Sequence, residues 1–233
     1  MEHLLDRLRE EKDEQRGEGV YEWLQTMFAF HSCRIEGNKT GYQDIRRLFR
    51  NKDKREEENT FDHTEIIEHF QLFDEMLDSV GKPLSLEMLQ SFHRTFRDDT
   101  EDYLYKNNCE PGTFRSEEGD KGCAPSDIAE EMDRFMADYK AAMHSREVTI
   151  GTAAQFHLRF ERIHPLPDDN GSMGRILLVK QCLEAELAPA IPGEDRRLSY
   201  LAAFTAEDPL AAMTEFLKKE QVVYERALHW MLS

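Results

Sequence analysis

The stretch HPLPDDNGSMGR, His164 to Arg175, sits between two apolar helical segments and looks like neither. Pro165 breaks the chain direction after a helix end. Asp168, Asp169 and Asn170 are residues that cap helices, and Gly171 permits a tight turn. The reading is a loop that feeds the N-terminus of the next helix. Such a terminus exposes unpaired N–H groups and a partial positive charge, which together attract an anion. Arg175 lies one turn into that helix and reaches the same anion. His164 stands at the other end of the loop as a base. Asp168 is a hard-oxygen ligand suited to Mg²⁺. Base, metal ligand, amide nest and arginine are the parts required for phosphoryl or nucleotidyl transfer.

Outward from this loop, the period is helical nearly everywhere. Helices are expected at 3–16, at 20–35 (with Leu24, Met27, Phe28 and Ile35 on one side) and at 41–50. The run RNKDKREEEN (50–59) reads as a solvated helix end or linker. Further helices are expected around Ile66–Val80, from Ser85 to Phe96, from Pro125 through Tyr139, at 149–163, from Gly171 to Leu187, at 196–204 and from Pro209 onward. Residues 106–127 are rich in Gly, Pro, Asn and Ser and read as a loop that has room for a short β-hairpin. The fold class is all-α, with no repeat and no low-complexity segment.

Composition bounds the function. The 233 residues are 39% hydrophobic and 33% charged, enough for a core under a heavily solvated surface. A formal charge of -17 argues against nucleic-acid partners, because an acidic surface repels a phosphate backbone. A single nucleotide is still admissible at a locally positive site. Cys33, Cys109, Cys123 and Cys182 lack the paired spacing of a metal knuckle or a disulfide framework. No apolar run approaches a membrane span of roughly 20 residues, and the charged opening MEHLLDRLREEKDEQRGEG is no signal peptide. The expectation is a soluble, cytoplasmic protein with no membrane partner; a homodimer is permitted but not required.

The loop resembles the signature of Fic domains, His-Pro-Phe-x-(Asp/Glu)-Gly-Asn-Gly-Arg-x-x-Arg. The matching positions are His164, Pro165, Asp168, Asn170, Gly171 and Arg175, with Leu166 in place of phenylalanine. Two positions depart from it: Asp169 replaces the first glycine of the nest, and Ser172 replaces the first arginine. A second stretch, HSCRIEGN (31–38), resembles the family's inhibitory motif, (Ser/Thr)-x-x-x-Glu-(Gly/Asn), here Ser32 and Glu36-Gly37. A third, PGTFRSEE (111–118), resembles the segment that opens the target-binding flap, through Thr113, Phe114 and Arg115. LAPAIPGEDRRLSYLAAF (187–204) resembles the nucleobase-side segment, with Tyr200 at the aromatic position.

The resemblance implies an all-helical Fic-like bundle. It also implies an Mg²⁺-dependent protein adenylyltransferase, moving AMP from ATP to a Tyr, Ser or Thr hydroxyl of a target protein or of itself. It assigns His164 as base and Asp168 as metal ligand. Asn170, Gly171, Ser172, Gly174, Arg175 and Tyr200 fall on the nucleotide, and Ser32 and Glu36 on inhibition. It divides the chain into an N-terminal inhibitory region (1–60), a catalytic core (61–205) and a C-terminal helix packed on that core (206–233). Losing an arginine at Ser172 removes a charged phosphate contact, worth on the order of 1.5–3 kcal/mol. Asp169 either adds charge beside the nest, turns outward or supplies a second metal ligand. A degenerate Fic fold that binds nucleotide or a partner without transfer is the alternative, and a plain helical interaction module is the third reading.

Overall fold

A computed structural model of the chain describes residues 3–51, 61–97, 100–119, 121–145 and 148–232. Among the described residues there is no strand, and the α-helices are α1 (Leu4–Asp13), α2 (Val20–Glu36), α3 (Tyr42–Arg50), α4 (Phe61–Ser79), α5 (Leu86–Phe96), α6 (Thr100–Asn107), α7 (Ile128–Ser145), α8 (Ile150–Ile163), α9 (Asn170–Glu184), α10 (Arg197–Ala203) and α11 (Pro209–Leu232). The expected helices are present. The sequence did not anticipate α6, and α9 stops at Glu184 rather than Leu187. Residues 108–124 are irregular, with no hairpin among the described residues. Gly, Pro and charged residues there leave no alternating apolar face to pair. Most of the charge run, 52–60, lies outside the described residues.

The long helices bury aromatic stripes against one another. Phe28 of α2, Phe70 and Phe73 of α4, Phe92 and Phe96 of α5, Phe135 of α7 and Phe160 of α8 are all essentially buried in one core. Burying a side chain of this size is worth roughly 1.5–3 kcal/mol, so this core holds α2 against α4 and α5. A second, smaller core joins α8 and α9 to α10 and α11 through Ala153, Ala154, Leu178, Tyr200, Met213 and Leu217. α8 and α9 belong to both cores and pack on each other. The loop between them is therefore anchored at both ends by helices that are packed into the core. No helix among the described residues is long and apolar enough to cross a membrane.

Local chemistry sets the helix ends that matter. Thr149 and Thr152 form a reciprocal capping box that starts α8. α8 ends at His164, in the left-handed conformation (φ 51°, ψ 59°), and Pro165 prevents its continuation. α2 ends at Gly37, also left-handed (φ 109°). Its start is held by a neighbour, since Glu11 of α1 accepts a hydrogen bond from Tyr21 N at 2.9 Å.

Candidate functional site

Between α8 and α9 the chain makes a closed loop. The Asn170 side chain accepts from Leu166 N at 2.9 Å and donates to Leu166 O at 2.8 Å. Asn170 is buried, and both ends of its amide are spent on shaping the loop. α9 begins directly after it. Asp169 gives that helix no side-chain cap, so the first-turn N–H groups face outward as an anion site.

Arg175 is 2% exposed. Its Nε donates to Ser32 Oγ at 3.0 Å, and its Nη2 donates to Glu36 Oε1 at 2.7 Å and Ser172 Oγ at 3.1 Å. Two stretches far apart in sequence, 32–36 and 172–175, thus meet on one guanidinium. Glu36 Oε1 also lies over the α9 terminus. A Cβ on Gly171 would come within 2.7 Å of it, closer than real side chains approach. A carboxylate is thus seated where the helix N-terminus and the arginine both favour an anion.

His164 lies across the loop. Burial, then the nearby Lys121 and Arg115 charges, push its pKa below the ordinary histidine value, so the ring is neutral at pH 7. Its Nδ1 is buried and faces the Glu161 carbonyl without a well-formed hydrogen bond. A neutral imidazole is the form that accepts a proton. Glu161, three residues earlier on the same face of α8, has a buried Oε1 without a partner. Burial raises its pKa to about 7, against the opposing pull of Arg175.

Asp168 is partly exposed, ion-paired with Lys106 of α6 at 2.9 Å and accepting from Asp169 N at 2.9 Å. Asp169 behaves differently. It is left-handed (φ 64°), a conformation that glycine adopts freely and aspartate tolerates. Its carboxylate turns away from the nest into a bidentate pair with Arg97, just past α5. His93 Nε2 is also 3.5 Å away, a long contact. Burial would raise the Asp169 pKa, but His93 and Arg97 outweigh it and hold the carboxyl below its ordinary value. Of the three options left open by the sequence, the geometry takes the outward one. His93 ties the same cluster to the next loop, its Nδ1 accepting from Gly112 N at 2.7 Å.

Residues 113–119 and 121–123 are strapped over the loop. Arg115 N donates to Pro165 O at 2.9 Å and Arg115 Nε to His164 O at 2.8 Å. Its remaining nitrogens donate to Glu117 O and Cys123 O. Arg115 is 8% exposed. Its side chain is a clip holding the segment closed, not a surface group facing a target. Phe114 packs partly against the core, and Thr113 is exposed.

Two further residues expected at the nucleotide have inward-facing positions. Tyr200 is 2% exposed, stacks on His157 and bonds its Nε2 at 2.7 Å, so its ring belongs to the core rather than to an open face. Gly174 is where α9 crosses α8, its Cβ position 2.7 Å from Glu161 Oε1. The sequence reading missed His69, His93, Arg97 and Glu161. Each sits on or beside an apolar helical face, where a lone polar residue carries no signal of its own. Among the described residues no cluster of three or more His, Cys, Asp or Glu groups could hold a metal by itself.

Comparison with known proteins finds relatives of this chain. The Fic/DOC family matches residues 83–182. The chain is 25% identical over 183 residues to "Protein adenylyltransferase Fic" of Drosophila willistoni, covering 73% of this chain and 34% of that protein. The same-named protein of Drosophila melanogaster is 25% identical over 179 residues. The chain spans about a third of the length of these curated relatives. Among solved structures, a Fic domain containing signaling protein from Bacteroides thetaiotaomicron VPI-5482 superposes with a TM-score of 0.73 at 16% identity, over 97% of this chain and 95% of the other. Fic-1 from C. elegans (residues 134–508) gives 0.71 at 17% identity, over 98% and 72%. Signature loop, helical fold and matched domain agree: residues 83–182 match the Fic/DOC family, and the solved Fic-domain structures share the helical fold.

Proposed function

We propose that this protein is a protein adenylyltransferase, transferring AMP from ATP to a Tyr, Ser or Thr hydroxyl of a target protein or of itself. The observation that carries the reading is the joint position of Arg175 and the uncapped α9 N-terminus, with neutral His164 across the loop. The target oxygen attacks the α-phosphorus, and His164 takes the proton from that hydroxyl. The bond from the α-phosphorus to the bridging oxygen breaks, and pyrophosphate leaves. The first-turn amides at Gly171 stabilise the charge that develops on the α-phosphoryl oxygens. Arg175 binds the γ-phosphate.

Asp168 would hold Mg²⁺. One partly exposed carboxylate beside the anion site fits this ion, which uses one or two carboxylates and completes its shell with phosphate oxygens and water. Bound there, the metal supplies positive charge to the phosphates. Glu36, paired with Arg175, competes with the γ-phosphate for the same guanidinium, and Ser32 orients that arginine. In this reading residues 1–60 restrain the core of 61–205, on which 206–233 packs.

The test is intact mass after incubation with ATP and Mg²⁺. Wild type is expected to label weakly, Glu36→Gly strongly and His164→Ala not at all. Equal labelling of the His164→Ala protein would sink the proposal. Ser172, where the related signature has arginine, favours a second reading in which nucleotide binds without transfer. ATP binding by calorimetry with no label on any variant or on added candidate targets would support it.

A further inference from the structure

Arg175 is held by groups that the proposed reaction does not use. His69 of α4 is fully buried, flanked by the rings of Phe28 and Phe96. Its Nδ1 is 2.8 Å from Glu65 O and 3.3 Å from Cys33 Sγ. A carbonyl only accepts, so Nδ1 carries the proton and Nε2 presents a bare lone pair. Two hydroxyls face that lone pair, Ser32 Oγ at 3.0 Å and Ser172 Oγ at 3.5 Å. Ser32 donates its proton to Nε2, which turns its oxygen lone pairs toward Arg175 Nε. Ser172 Oγ, on the longer contact, accepts from Arg175 Nη2. Burial drives the His69 pKa down to about 3, so the ring stays a neutral acceptor at any working pH.

From this geometry we infer that His69 is a positioning residue: acting through the Ser32 and Ser172 hydroxyls, it fixes the direction of the Arg175 guanidinium. The relay gives the serine at position 172 a role. Ser172 is 3% exposed and stands between Arg175 and His69. The departure from the related signature is part of the anchor on Arg175 rather than an empty remnant of an arginine. The orienting effect stands on the hydrogen bonds alone; its consequence for nucleotide rests on the function proposed above, in which Arg175 meets the γ-phosphate.

The experiment uses the full chain and two readouts. The first is hydrogen exchange of the Arg175 Nε–H in ¹H–¹⁵N spectra, assigned by its disappearance in Arg175→Lys. His69→Phe keeps the ring packing and removes the acceptor, and the exchange is expected to accelerate by about tenfold or more, the loss of one charged hydrogen bond. His69→Gln supplies a carbonyl to both hydroxyls and is expected to restore slow exchange. The second readout is calorimetric affinity for ATP and for ADP, each with Mg²⁺, in the Glu36→Gly background. There His69→Phe is expected to lower ATP affinity about tenfold while leaving ADP affinity unchanged, since only ATP has a γ-phosphate. Unchanged Arg175 exchange in His69→Phe, or a His69→Gln protein no better than His69→Phe, overturns the inference. Should His69→Phe fail to fold, His69→Leu also removes the acceptor while leaving Ser32 in place, and must accelerate the same exchange. If the Glu36→Gly chain binds neither nucleotide, the proposed function fails, while the exchange measurement still decides the relay.

Discussion

Replacing Arg97 with methionine is expected to destabilise the protein by about 3 kcal/mol. Arg97 and Asp169 are 17% and 9% exposed as side chains, and their pair is bidentate. Breaking a buried pair by removing one partner costs roughly 3–5 kcal/mol, because the survivor keeps an uncompensated charge. The lower end applies here, since Asp169 retains the 3.5 Å contact with His93. Asp169→Asn keeps the shape and tolerates the left-handed backbone; it leaves Arg97 with Glu68 at 3.4 Å, so its cost is about 1–2 kcal/mol. The double variant loses the pair once rather than twice, which sets a coupling near 2 kcal/mol. An ordinary surface pair would couple by less than about 1 kcal/mol. Urea unfolding at pH 7, with linear extrapolation, measures all four corners of the cycle. The pH dependence adds a check. The Asp169 carboxyl has a lowered folded pKa, so its contribution is fully present above its ordinary value of 3.8 and is lost only as pH falls through the folded value. Wild type and Asp169→Asn, which has no carboxyl to titrate there, must therefore stay apart from pH 8 down to pH 4. Coupling below about 0.5 kcal/mol, or convergence of the two curves near pH 6, would refute the outward-facing clamp. The clamp also bears on function. Freed from Arg97, the carboxylate can turn toward the α9 N-terminus, so Arg97→Met is expected to weaken ATP binding beyond any loss of folded protein.

Three other changes test neighbouring parts of the site. Gly174→Ala brings a Cβ to 2.7 Å from Glu161 Oε1 and 3.3 Å from His157 Cε1 and Phe160 Cδ1. Overpacking of this kind costs about 1–3 kcal/mol, read as a lower melting temperature. Glu161→Gln is expected to stabilise the protein at pH 8 and change little at pH 4. The wild-type carboxyl has a folded pKa of about 7 against an unfolded value of 4.5, so its stability contribution is full below 4.5 and fades as pH rises through 7. The gain at pH 8 is bounded at roughly 3 kcal/mol; no pH dependence in the difference between the two proteins would rule out the buried, raised carboxyl. Arg115→Ala removes the donors to His164 O, Glu117 O and Cys123 O. Limited proteolysis is expected to cut within 116–123 several-fold faster than in wild type, and equal cutting rates would show that the clip does not restrain this segment.

Helix after helix was legible in the chain because apolar residues recur at three- and four-residue steps, and burial of those stripes is what makes the helices stable. The loop was legible for a different reason. Pro165 fixes its backbone, Asp168 and Asn170 favour caps and turns, and Gly171 admits a tight approach, and these local effects need no distant partner. The elements that escaped notice lacked such signals. α6 is short and polar, held beside the loop partly by the contact of Lys106 with Asp168. His69 and Glu161 interrupt otherwise apolar faces, where a single polar side chain is indistinguishable from a satisfied core residue.

By itself the sequence determined the all-helical class, the punctuated loop at 164–175 that feeds a helix N-terminus, and the spacing of Ser32 and Glu36 on one helix face. Those follow from periodicity and local backbone preference, which act over a few residues. Tertiary structure alone decided where the side chains go. It brought Glu36 onto Arg175 across 139 positions, turned Asp169 outward to Arg97, withdrew Tyr200 and Arg115 from the open site, and set Ser172 beside His69. Each of those outcomes depends on which buried polar or charged group finds a partner. Desolvation makes an unpaired charge costly wherever the chain buries it, and only the packed fold determines which groups lie within reach.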